Sequence, residues 1–245
     1  MMGRIRFVLR VAGMVVGLGL CLTLHGLWRL VRLPSPWPRL LLGTIARLCG
    51  ARVRVIGRPL RRDVVFVSNH LSWIDIPLLA GATGTAFVAK AELRAVPLVG
   101  WLCTLNRTLF VRRDNRMGVA DQIAQLRTAL AGGWCVTMFP EGTTGDDLTL
   151  LPFKPALLAA IDPAPPGTRV QPVRIDYGDA AGEIAWIGEE PGRTHAIRVL
   201  SRPGRFTATL HFIDPFDPAA VGNRKAIAAE ARRLIETPWP GKTTD

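Results

Sequence analysis

The segment Ser68-Asn69-His70-Leu71-Ser72-Trp73-Ile74-Asp75 sets a histidine five positions before an aspartate, directly after a run containing Val64, Val65 and Val67. An imidazole held through one nitrogen by a carboxylate has a fixed tautomer, and its other nitrogen can take a proton from a hydroxyl. On a regular helix a five-residue step is an offset of about 140°, so the two side chains would point apart. They meet only if His70 sits on the loop leaving a strand and Asp75 in the first turn of the next helix, with Ser72 or Asp75 as its cap. Taken alone, the pair fits a structural His–Asp hydrogen bond equally well.

Three further blocks follow in the chain. Residues 138–147 carry Pro140, Glu141, Gly142, Thr143 and Thr144 at the end of an apolar run. Gly142 permits close backbone approach to a ligand, and the exposed N–H groups and two threonine hydroxyls suit an anion. Residues 108–113 end in Arg112 and Arg113, of which one faces a site because side chains alternate along a strand. Residues 170–175 read as a core strand containing Pro172. No G-x-S-x-G motif is present, which disfavours a nucleophile-elbow hydrolase. His25, His195 and His211 have no cysteine or histidine nearby in sequence, so no metal site is expected.

Short β-branched runs at residues 52–56, 63–70, 85–90, 108–113, 134–140, 169–177, 183–187 and 205–213 read as strands. Between them, 73–79, 92–102, 117–131, 154–161 and 219–236 read as helices; Val119, Ile123, Leu126 and Leu130 give the third a buried face, which Gly132 and Gly133 end. Strands alternating with helices predict an α/β fold with a mixed, largely parallel sheet flanked by helices.

Residues 11–27 carry no formal charge and, with Phe7 to Leu9, approach the roughly 20 apolar residues that cross a bilayer. Arg4, Arg6 and Arg10 precede them, Trp28, Arg29 and Arg32 follow, and Pro34, Pro36 and Pro38 break the helix. Residues 40–49 read as a second, amphipathic helix. The expected organisation is a membrane-anchoring two-helix motif over residues 1–50 and a catalytic domain over 51–245. Cys21, Cys49, Cys103 and Cys135 are too scattered for a disulfide framework. The net charge of +12, from 31 Lys+Arg against 19 Asp+Glu, suits an anionic membrane surface or an anionic substrate. It would also suit a non-catalytic membrane-surface or nucleic-acid binder, but the basic residues are dispersed and aromatics are 7% of the chain.

In this order, the four blocks resemble those of the glycerolipid acyltransferase family within the lysophospholipid acyltransferase superfamily, typified by 1-acylglycerol-3-phosphate acyltransferase. The likeness runs from about Val53 to Ile213 and rests on "NHLSWID", "RTLFVRR", "FPEGTT" and "VQPVRI". It implies direct transfer of a fatty acyl group from acyl-CoA or acyl-acyl carrier protein to the hydroxyl of a lyso-lipid, with no cofactor, metal or nucleic acid. His70 is implied as general base and Asp75 as its orienting partner. Arg113 matches the arginine of the second block. Glu141, Gly142 and Thr143 are implied to shape the acceptor site, and Lys90 falls where the family places a lysine toward the acceptor phosphate. The chain departs from the pattern twice. Arg107 stands where the family has glycine, and Thr144 replaces an arginine presumed to hold phosphate, whose charge and fork threonine lacks. Arg107 and Lys154 are the candidates to replace that charge. The expected acceptor is 1-acyl-sn-glycerol-3-phosphate, giving phosphatidic acid. The second reading is a lyso-ornithine lipid, because "EGTT" resembles the branch acting on that phosphate-free acceptor. A thioesterase with water as acceptor is the other enzymatic rival. The implied location is the cytoplasmic face of the inner membrane.

Overall fold

The computed structural model describes residues 1–33, 35–95, 99–111, 116–146 and 149–237. Its chain begins with α1 (Met2–Leu30), a helix long and apolar enough to cross a bilayer, and α2 (Trp37–Leu48). α1 starts before Arg4, Arg6 and Arg10, so the arginines expected to flank it lie inside it. Of the three prolines expected to break the chain here, Pro38 lies in the first turn of α2, where a missing N–H costs nothing, and Pro34 is outside the described residues.

The following elements are β1 (Ala51–Ile56), β2 (Val64–Ser68), α3 (Asp75–Thr83), β3 (Ala86–Lys90), α4 (Val99–Leu105), β4 (Leu109–Val111), α5 (Arg116–Ala131) and β5 (Cys135–Met138). After these come β6 (Arg169–Asp176), α6 (Ala181–Ile184), α7 (Gly192–Ser201), β7 (Phe206–Phe212), α8 (Pro218–Val221) and α9 (Arg224–Glu236). The seven strands form one sheet in the order β1-β7-β6-β2-β5-β3-β4, parallel at every joint except the antiparallel β6–β7 pair. This is the mixed, largely parallel α/β sheet the alternating pattern predicts.

β2 lies at the centre and is buried along its length. Because alternate side chains leave opposite faces, Val64 and Phe66 join one core with Leu78 and Leu79 of α3, while Val65 and Val67 join another with Leu158 and with Ile227 of α9. Gly84, at φ +75°, ends α3 and donates its N–H to the Ala80 carbonyl.

Several predicted elements differ. Residues 183–187 are not a strand: α6 ends at Ile184, and its end is held by side chains from α7, a helix the apolar pattern does not reveal. Residues 91–95 and 155–161 form 3-10 turns rather than α-helix, and Gly222 separates α8 from α9.

The N-terminal helices pack directly on the rest. Phe7, Val11 and Met14 lie against the first core. Arg6 donates to the Ser201 carbonyl at 3.2 Å, and Arg10 to the Val199 and Leu200 carbonyls at 3.1 Å, binding α1 to the carbonyls at the end of α7. α2 meets α3 through two glycines: a Cβ on Gly81 would sit 2.6 Å from the Gly43 Cα and 2.9 Å from its nitrogen. Those are backbone atoms that no rotamer can clear. Gly81→Ala should therefore destabilise, because overpacking of about 1–3 kcal/mol exceeds the roughly 1 kcal/mol of helix propensity that alanine adds. The check is the thermal midpoint in detergent; an equal or higher midpoint would refute the close approach.

Candidate active site

After β2 the chain turns onto the face occupied by α3; after β5 it turns onto the opposite face, through the 155–161 turn. Adjacent parallel strands whose connections leave in opposite directions open a crevice at their carboxyl ends. His70 follows β2 and Glu141 follows β5, so both stand at that crevice.

His70 lies on the loop and Asp75 is the first residue of α3, the arrangement that lets the loop fold the ring back. Nδ1 donates to Asp75 Oδ2 at 2.7 Å, which leaves the lone pair on Nε2. Among the described residues nothing is hydrogen-bonded to Nε2. The His70 side chain is 18% exposed and that of Asp75 is 0% exposed, so a substrate can meet the ring but not the carboxylate. The ring stacks on Phe139 at 4.0 Å, and Phe139 in turn on the buried Phe87 at 6.0 Å, giving the imidazole an apolar backing.

Asp75 does more than orient the ring. Its Oδ2 also accepts the N–H groups of Leu71 at 2.7 Å and Ser72 at 2.9 Å, and its Oδ1 accepts the hydroxyl of Tyr177. A buried carboxylate needs such donors to remain charged. It reaches back to the loop rather than capping α3, and the Ser72 hydroxyl has no partner among the described residues and caps nothing. Sequence reasoning missed Tyr177. The available signal was that the chain's single tyrosine ends a predicted core strand.

Glu141, expected among acceptor-site residues, braces the loop from below. Oε1 accepts the His70 N–H at 2.8 Å and Oε2 the Leu151 N–H at 3.0 Å. Burial raises its pKa above the ordinary carboxylate value of 4.5, and the two N–H donors partly oppose this. A raised folded-state pKa means the native state holds this proton more tightly than the unfolded chain does. The contribution is therefore full below pH 4.5 and is lost as pH rises through the raised value. Removing the titration with Glu141→Gln should make the midpoint difference, wild type minus variant, shrink from pH 4 toward pH 8. A difference that grows with pH would contradict the burial assignment.

Gly142 adopts φ +73° and closes a turn with its N–H on the Phe139 carbonyl at 3.1 Å, so its glycine serves the turn. Thr143 is exposed. Thr144, expected to face an anion, donates its hydroxyl to the Trp186 carbonyl at 2.5 Å. The Trp186 N–H is donated to Leu71 at 2.8 Å, so one residue ties the loop after β5 to the loop after β2. Residues 183–185 present their carbonyls to Arg198 and His195, whose stacking on Trp186 completes this support.

Lys90 ends β3, and Arg112 and Arg113 lie outside the described residues. Arg107 does not replace the missing arginine: it precedes β4, at the end of the sheet away from His70, and stacks over Trp134 at 5.1 Å. The four cysteines are free, and burial pushes the Cys135 thiol up to about 11, which makes it inert at neutral pH.

An acyltransferase family model matches residues 52–176. The chain is 34% identical to the lyso-ornithine lipid O-acyltransferase of Rhodobacter capsulatus, over 96% of this chain and 90% of that one. It is 36% identical to the lyso-ornithine lipid O-acyltransferase of Pseudomonas aeruginosa, over 96% and 93%. The 1-acyl-sn-glycerol-3-phosphate acyltransferase of Neisseria gonorrhoeae is 33% identical but over 52% of this chain and 51% of that one. The crystal structure of the 1-acyl-sn-glycerophosphate (LPA) acyltransferase PlsC from Thermotoga maritima superposes with a TM-score of 0.65 at 25% identity, covering 97% of this chain and 99% of that one.

Proposed function

The chain belongs to the acyltransferase family, and from that premise we propose that it esterifies the free hydroxyl of a lyso-ornithine lipid with a fatty acyl group drawn from a thioester. This reverses the order in which the sequence motifs rank the two acceptors. The relatives that are 34–36% identical over nearly their whole length carry the lyso-ornithine name, whereas the glycerophosphate relative of similar identity is matched over half, and PlsC, matched over its whole length, is 25% identical. The observation that carries the reading is Thr144: where phosphate recognition calls for a cation, a hydroxyl is already committed to the Trp186 carbonyl.

In the proposed reaction, His70 Nε2 takes the proton of the acceptor hydroxyl as its oxygen bonds to the thioester carbonyl carbon. Asp75 stabilises the imidazolium that forms. The tetrahedral adduct then breaks its carbon–sulfur bond, and the imidazolium returns the proton to the departing thiolate. No acyl-enzyme forms. The donor is acyl-CoA or acyl-acyl carrier protein, arriving as co-substrate, and the chemistry calls for no resident cofactor.

The enzyme is membrane-associated, and its lipid-facing surface is carried by α1, where Val8, Leu9, Val15, Val16 and Leu20 are exposed. Because Arg6, Phe7, Arg10 and Val11 fasten the opposite flank of this helix to the protein, we place α1 along one leaflet of the cytoplasmic face, where both candidate donors occur.

The test is a labelled acyl donor offered with a panel of lyso-lipids. Product from lyso-ornithine lipid in clear excess over lysophosphatidate supports the reading. Preference for lysophosphatidate, or thiol release without any acceptor, removes it.

A further inference from the structure

A cavity of about 330 Å³ opens at the carboxyl end of the sheet beside the His70 loop, on the β6 side. Asn69 and Leu71, the residues on either side of His70, line it, as do Glu141, Arg174, Arg232 and Glu236. It mixes charges of both signs, and most of them are engaged. Glu141 holds two backbone N–H groups. Arg232 donates to the Leu150 and Leu151 carbonyls, each at 2.8 Å, and to one oxygen of Glu236 at 2.6 Å. Arg174 is different: among the described residues its side chain makes one long hydrogen bond, 3.3 Å to the Ile235 carbonyl, and no carboxylate pairs with it. A half-buried guanidinium with spare N–H groups thus lines a polar cavity that also touches both chain neighbours of His70, and Glu236 keeps its second oxygen free of hydrogen bonds among the described residues.

The cavity spans the carboxyl ends of β5 and β6, away from the end of β3, where Lys90 was expected to meet an acceptor phosphate. Its opposite charges match a zwitterion better than a phosphate. An ornithine joined to a hydroxy fatty acid through its α-amine keeps a free carboxylate and a terminal ammonium. Its carboxylate lies only a few bonds from the acceptor hydroxyl, so a carboxylate site must adjoin the base. Resting on the function proposed above, we propose that this cavity receives the ornithine headgroup, with Arg174 holding the carboxylate and Glu236 the ammonium. The acyl tails then leave past Phe139, the half-buried ring stacked on His70.

Arg174→Gln should raise the KM for lyso-ornithine lipid by about ten- to a hundredfold, the usual range for losing a charge-assisted bond, with kcat changed far less. The same substitution should leave unchanged the KM for the carboxylate-free analogue, the hydroxyacyl amide of 1,4-diaminobutane, which wild type should already bind as weakly as the variant binds the full lipid. Arg174→Lys keeps the charge and should recover part of the affinity, which separates recognition from any tilt of α9. An unchanged KM, or an equal rise for the full lipid and the analogue, overturns the assignment. A rise seen with lysophosphatidate instead assigns the cavity to phosphate and overturns it too. Failure of wild type to acylate lyso-ornithine lipid at all is a separate result, which strikes the function and not the cavity.

Discussion

His70→Ala should leave a folded, membrane-bound protein whose acyl transfer is reduced by about 10²–10⁴-fold, the range that one positioned general base supplies. The substitution is mild for the fold. The loop is held by backbone groups that alanine retains: the residue 70 N–H on Glu141, its carbonyl accepting from Gly145 at 2.8 Å, and the Leu71 carbonyl accepting from Trp186. The ring loses its stack on Phe139 and its bond to Asp75, whose other three donors stay in place. The measurement is initial rate at saturating donor and acceptor, beside a thermal midpoint. A well-folded variant with wild-type turnover removes His70 from the mechanism.

Asp75→Asn separates charge from geometry. An asparagine can keep its oxygen at the Oδ2 position, accepting from His70, Leu71 and Ser72, while its amide nitrogen takes the Oδ1 position and donates to the Tyr177 oxygen. The flipped amide would aim N–H at N–H and is excluded. The shape of the site therefore survives, and the fold loses little beyond an acceptor for the Tyr177 proton, about 1–3 kcal/mol. What disappears is the negative charge that faces the imidazolium in the transition state. Two unit charges about 4 Å apart interact by about 4 kcal/mol at an effective dielectric near 20, which is roughly 10³-fold in rate. Turnover should fall by about that factor with little change in the KM of either substrate. Asp75→Ala differs in kind: it strips four donors at once in a fully buried place, so that variant should express poorly. An Asp75→Asn enzyme with near-normal turnover would show that the carboxylate holds the loop and takes no part in the chemistry.

The parts legible in the sequence are those whose physics is local. The β-branched run before His70 reports a central strand, and the geometry of a helix start dictates that His70 and Asp75 can meet only across a loop. The missed parts depend on contacts distant in sequence. Tyr177 reaches Asp75 across 102 positions, and neither hydropathy nor spacing connects them. Residues 183–187 have the composition of a strand, yet they turn because Arg198 and His195 satisfy carbonyls that a neighbouring strand would otherwise take. α7 itself buries His195, Val199 and Leu200, a stripe too short and too polar to register as a helical period. Thr144 shows the converse: the motif locates the loop correctly, but only its bond to Trp186 reveals that the hydroxyl is engaged.

The glycine contact between α2 and α3, with the arginines that fasten α1 to α7, couples the N-terminal helices rigidly to the His70 loop. Asp75 opens the same helix that Gly81 presses onto α2. With α1 laid along a leaflet as proposed, His70 would stand at a set height above it, and the protein would work as a depth gauge, favouring lipids whose hydroxyl rides at that level. Acceptors differing only in how far the hydroxyl lies from the headgroup should be sorted by that height before any pocket contact is made.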